Sequence, residues 1–231
     1  MKRFYTTVTT EPVEGGGQAI RLDGRPVKTP ARADLWLPTS ALAHAVVAEW
    51  DAQGETIDPR GMPLTGLANA AIDRVAPDPA AFALTLSGYA ETDLLCYRAD
   101  SPDELIARQA VAWDPLIDWA QQRYDVEFEI VHGVMHCPQP DDTVERLSAA
   151  LRGYDYFQLA GLQPLITIAG SLVIALALAE GEIDGRTAFD SAHLDELWQA
   201  EQWGEDELAI QARVIRSDDF RAAARFLGLL V

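Results

Sequence analysis

Nine carboxylates lie between Glu182 and Glu207, faced in that interval by a single cation, Arg186. Within them Glu201 and Glu205 would share a helix face if the helix ran through Gly204, with Trp198 and Trp203 on either side. Two carboxylates on one face can divide general acid and general base work. So many acids are present, however, that the pattern selects no particular pair, and an acidic helical face is also an ordinary solvated surface. The tryptophans suggest a third use, because Trp in a polar surround often anchors a protein partner. His132 and His136 stand four apart beside Cys137, with Cys96 elsewhere, and zinc accepts these donor types. Gly133 separates the histidines, Pro138 follows at once, and no second ligand pair has a standard spacing, so no metal site is expected. The triplet Gly15-Gly16-Gly17 is followed by Gln18-Ala19-Ile20, without the Lys and hydroxyl of a phosphate loop, and reads as a hairpin turn. No Gly-x-Ser-x-Gly elbow exists, and the apolar surroundings of Cys96 would raise its pKa rather than expose a thiolate. No catalytic residue and no cofactor is assigned from these features.

The whole chain narrows the choice. It has 231 residues, 36 acidic and 18 basic, for a formal charge of -18. Such a balance argues against nucleic acid and against an anionic membrane surface as partners. Residues 1–35 run the other way, with six basic and four acidic side chains. Two cysteines are too few for a disulfide scaffold and suit a reducing compartment. The N-terminus has a short basic head without the apolar region of a secretory signal, and no Arg-rich, acid-free leader of the mitochondrial kind. The uncharged stretch Tyr156–Ala179 contains Pro164, Gln158 and Gln163 and many small residues. It reads as one buried core helix rather than a membrane span.

The elements that position these residues divide into two kinds. Phe4–Thr10, Gln18–Leu22, Val27–Thr29 and Leu35–Leu37 have strand character, with a tight turn at Asp23-Gly24. From Thr39 onward helices dominate. They are expected from a Thr39 or Ser40 cap to about Gln53, over Pro63–Val75, over Pro79–Tyr89, and from a capping box at Ser101-Pro102-Asp103-Glu104. Asp114-Pro115 should kink or restart that last helix. Asp93–Arg98 is ambiguous, and Phe128–Val131 is a candidate strand. An Asp142-capped helix ends at Gly153, and further helices are expected over Thr187–Gln202, Glu205–Ile215 and Ser217–Leu229. The fold class is α+β: a small β-rich N-terminal domain, residues 1–60, followed by a larger orthogonal α-helical domain, residues 61–231.

Seven strings in order and spacing carry a resemblance. They are Leu22–Pro30, Glu49–Gln53, Met62–Asp73, Asp93–Ala99, Gln109 with Trp113–Trp119, Gly170–Leu172 and Trp198–Asp206. Together, from about Phe4 to the C-terminus, they resemble the assembly chaperones of the F1 sector of ATP synthase, of the type that handles the alpha subunit. The resemblance implies a non-catalytic protein that binds the unassembled alpha subunit and blocks its premature self-association until the beta subunit replaces it. It implies partner-binding roles for Glu201, Trp203, Gly204, Glu205 and Asp206. A bacterial cytoplasmic location is expected, with no membrane insertion, no nucleic acid and no small-molecule substrate. The competing expectation is an enzyme with a carboxylate-pair site in the helical domain.

Overall fold

A computed structural model describes residues 1–231. Strands occupy the first forty residues and helices most of the rest, in the α+β arrangement expected. The chain packs as two compact units. The first comprises Met1–Pro79 with two returning segments, Asp155–Gly161 and Arg225–Val231, and the second holds Ala80–Tyr154 and Leu162–Ala224.

In the first unit β2 (Gln18–Leu22) is the central strand. It pairs antiparallel with β1 (Val8–Pro12) in the register Val8↔Leu22, Pro12↔Gln18. On its other edge lie β3 (Arg25–Pro26) and, paired further along, β4 (Trp36–Leu37). Alternation along β2 sends Ile20 and Leu22 into the core, where α1 (Ser40–Asp51) packs on the sheet with Leu42 and Val46. Thr39 caps α1 by accepting from Leu42 N at 3.1 Å. The next helix, α2 (Pro63–Ala70), passes into a π-helical turn over Ala71–Val75. The carboxylate of Glu49 receives Leu64 N and Thr65 N, each at 2.8 Å, and so satisfies the open N–H groups at the start of α2. The Tyr5 hydroxyl donates to Trp50 O at 2.7 Å. The returning segments bring Phe157, whose ring meets Trp36, and Phe226, whose ring meets Phe157.

The second unit is helical: α3 (Pro79–Ser87, entering from the first unit), α4 (Asp103–Tyr124), α5 (Asp141–Leu151), α6 (Tyr156–Ala169, begun in the first unit) and α7 (Leu172–Ala179) come first. They are followed by α8 (Gly185–Ala192), α9 (Leu194–Trp203) and α10 (Glu207–Gly228, ending in the first unit). Helix α7 is the centre, with Leu172 to Ala177 all buried and α4 and α8 alongside. Asp93 is fully buried beneath it. Its carboxylate accepts from Val173 N at 2.9 Å and Leu95 N at 3.0 Å, and burial pushes its pKa up against the pull of these donors. A two-stranded parallel ladder joins β5 (Tyr97–Arg98) to β6 (Val131–His132).

Several elements depart from the sequence reading. The apolar stretch is two helices, because Gly170 takes φ +64° and Ser171 recaps the chain on Ile174 N. No helix is long and apolar enough to cross a membrane. Ser101 does not cap α4. Its hydroxyl turns to Asp100, the Ser101-Pro102 peptide is cis, and the helix begins at Asp103. Helix α4 runs through Pro115 without restarting, and Asp114 pairs with Arg98 at 2.7 Å instead of capping. Pro140, not Asp142, occupies the cap position of α5. His193 divides the expected Thr187–Gln202 helix in two, whereas the two helices expected after Glu205 are one, α10.

Candidate functional site

The five residues singled out near the C-terminus form one corner, but not the shared helix face expected of Glu201 and Glu205. Helix α9 ends at Trp203, and Gly204 takes φ +80° and ψ 177°. That combination is open essentially to glycine alone, so the chain turns away before Glu205. Each glutamate then has its own arginine. Glu201 accepts from Arg108 of α4 at 2.6 Å, and Arg108 also reaches Glu104 at 3.1 Å. Glu205 pairs with Arg213 of α10 at 2.5 Å. Arg213 bridges to Glu196 at 3.1 Å, which also takes Arg216 at 2.6 Å. Burial draws the Arg213 pKa down, and the hydrogen bonds to Glu205 and Glu196 outweigh it, leaving the guanidinium above its ordinary value. Asp206 accepts from Ala209 N at 2.9 Å and so caps α10. These carboxylates are each held by a cation or by backbone.

The apolar side chains set among these charges are the more distinctive feature. Trp198 is 7% exposed and Trp203 is 75% exposed, their rings edge to face at 5.7 Å. Beyond the Gly204 turn, Leu208, Val214 and Ile215 of α10 are also exposed. A groove of 760 Å³ lies between α8, α9 and α10, with Phe189, Leu197 and Ile210 in its lining. Beneath it His193 stacks on Phe189 at 4.0 Å and bonds to Phe189 O at 3.0 Å. Burial lowers its pKa, as do Arg216 and Arg213, against the contrary pull of the Phe189 O hydrogen bond and of Glu196. The sequence marked the acids and tryptophans. It carried no sign of Val111 on α4, 80% exposed, or of the apolar start of α10 as an outward face.

The other candidates are dispersed. His136 bonds to the Tyr97 hydroxyl at 3.1 Å, His132 contacts Ala99 O at 3.3 Å, and Cys137 sits against Pro138 O. No group of three or more His, Cys, Asp or Glu side chains is arranged to hold a metal ion. Cys96 is buried, and burial followed by Asp93 raises its pKa. Gly15–Gly17 form the turn between β1 and β2.

Comparison with known proteins gives this arrangement its context. Residues 2–121 match the family model described as the ATP12 chaperone protein. The chain belongs to the ATP12 chaperone family. This is the family of ATP synthase assembly chaperones that the sequence strings resemble. The crystal structure of Atp12 from Paracoccus denitrificans is 44% identical and covers 100% of this chain and 98% of its own, with a TM-score of 0.94. The crystal structure of the Atu1473 protein of Agrobacterium tumefaciens is 45% identical, covering 100% of this chain and 86% of its own at the same TM-score of 0.94. Protein atp12 of Schizosaccharomyces pombe, a mitochondrial protein, is 25% identical over 95% of this chain and 78% of its own length. The ATP12 model match ends within α4, ahead of α9 and α10, whereas the likeness to Atp12 structures runs the whole chain.

Proposed function

We propose that this ATP12-family chain binds the unassembled alpha subunit of the F1 sector of ATP synthase and prevents its self-association until the beta subunit takes its place. The observation that carries the reading is the corner of α9 and α10, where exposed Trp203, Leu208 and Ile215 are set in an acidic surround. A lone alpha subunit exposes the surface that beta later covers, and such a surface aggregates unless something shields it. Glu201, Trp203, Gly204, Glu205 and Asp206 are the contacts we assign. The tryptophan supplies apolar area, the glycine aims the turn, and the carboxylates set partner choice and encounter rate. The chaperone must hold alpha more weakly than beta does, or it would trap its client. Since the glutamates each engage an arginine, we read the protein as a binding protein and not an enzyme, without cofactor or small-molecule substrate. We place it in the bacterial cytoplasm, as the Paracoccus and Agrobacterium likenesses suggest.

The test is size-exclusion co-elution with separately expressed alpha, with beta and an unrelated aggregation-prone protein as controls. A complex with alpha alone is expected. Co-elution with the unrelated protein as well would make this a general holdase, and no complex with alpha would remove the reading.

A further inference from the structure

A second groove, of 690 Å³, lies between α4, α8 and α9, and it bears on what part of a client this protein can hold. Its apolar lining includes Val111 of α4 and Leu194, Leu197 and Trp198 of α9. Val111 stands out in solvent at 80% exposure, an expensive place for a β-branched apolar side chain to be left uncovered. The charges on the rim are Glu104, Asp190 and Glu201 against one guanidinium, Arg108. Arg108 is already shared between Glu104 and Glu201, at 3.1 and 2.6 Å, and Asp190 lies 3.6 Å from Arg186.

The tryptophan supplies an independent sign. Trp198 is 7% exposed, and its indole Nε1–H is buried without an acceptor anywhere in the protein. Trp113, more enclosed still in the same unit, donates its own Nε1–H to Ser191 O at 2.9 Å. Buried donors are nearly always paired, so this enclosed and unpaired one in a groove wall gains an acceptor only if the ring shifts when the groove is filled.

We propose that this groove seats a polypeptide segment of the client bearing an apolar side chain next to an arginine or lysine. The apolar side chain covers Val111 and Leu194, and as the Trp198 ring shifts to meet the segment its Nε1–H, enclosed in the free chain, donates to a backbone carbonyl. The basic group joins the carboxylates of Glu104 and Glu201, where acids outnumber the single resident arginine. The groove abuts Glu201, so it continues the α9–α10 corner onto α4. This inference rests on the chaperone reading, and it adds the chemistry of the segment recognised.

The experiment uses the intact chain and purified alpha subunit, with affinities measured for the wild type, Val111→Glu and Val111→Leu. Because Val111 is exposed, Val111→Glu should unfold at the wild-type temperature while losing affinity on the order of ten-fold. Val111→Leu should bind as the wild type does. In the same titration the indole N–H resonance of Trp198, identified by its loss in Trp198→Phe, should move downfield as it gains an acceptor. Undiminished binding by Val111→Glu with an unmoved indole resonance overturns the groove and leaves the chaperone reading standing. Failure of wild-type chain to bind alpha removes both. An indole resonance that moves with the concentration of this chain alone means that a second copy fills the groove, which also overturns the proposal.

Discussion

Glu49, Asp73 and Asp23 in the first unit close hydrogen bonds to backbone, whereas Glu196, Glu201 and Glu205 around α9 and the start of α10 face arginines. Glu11 and Asp34 of the first unit also pair with cations, Arg21 and Lys28. Glu49 holds Leu64 N, Thr65 N and the Thr65 hydroxyl. Asp73 receives Thr29 Oγ1 and Ala31 N, and Asp23 receives Thr6 N and Thr7 N, which hold its pKa below the ordinary carboxylate value. By contrast Glu196, Glu201 and Glu205 pair with Arg108, Arg213 and Arg216, and only Asp206 caps backbone. The tryptophans divide the same way. Trp36 packs against Tyr156 and Phe157 and Trp50 against Tyr5, while Trp203 stands in solvent. A carboxylate bonded to backbone N–H groups cannot leave without unsatisfying them. Glu201, paired with the more open Arg108, can exchange that partner at little cost, whereas Arg213 is largely enclosed between Glu196 and Glu205. The first unit is therefore built to hold its shape, and the α9–α10 corner is built to be contacted.

That contrast can be broken experimentally. The largest effect expected is on folding, in the first unit. Glu49→Ala should lower stability by about 2 kcal/mol, read by urea unfolding, because it strands the donors at the start of α2. Its affinity for alpha should be unchanged once folded. Trp203→Ala should do the reverse, weakening alpha binding by about 2 kcal/mol with a stability change within about 0.5 kcal/mol. A Trp203 variant that unfolds as readily as the Glu49 one would dissolve the distinction.

Reversing charge at Glu201 and Glu205 together should weaken binding by about 1.4 kcal/mol, ten-fold, and the loss should shrink as salt is added. Arg108 and Arg213 lose their partners in that variant, so a stability cost near 1 kcal/mol should accompany it. The smallest effect is the pH dependence from His193. Its folded pKa lies below the usual 6.5, so the folded state prefers the neutral ring. The associated stability is complete above about pH 6.5 and is lost as pH falls through the folded value. His193→Gln should flatten the fall in Tm below pH 6.5 by that portion.

How much of this the sequence disclosed depends on whether the deciding interaction was local. The strand Gln18–Leu22 and the Thr39 cap are short-range features and were legible as such. The break at Gly170 was not. An apolar run of one character looks continuous, and only the packing of α7 over Asp93 requires the turn. Nor does linear order reveal that residues 155–161 and 225–231 return to the first unit. At the candidate site, composition picked out the acids and Trp203. The arginines that neutralise them sit 93 and 8 residues away in sequence, at Arg108 and Arg213. The unpaired Trp198 Nε1 could come only from three-dimensional packing.

The most direct test of the division between a holding region and a contacting region is amide hydrogen exchange of this chain, free and bound to alpha. The account predicts added protection over Leu194–Ile215 and the Glu104–Ala112 part of α4, with β1, β2 and β4 unchanged. Protection gained on the strands, with α9 and the start of α10 exchanging as in the free protein, would contradict it.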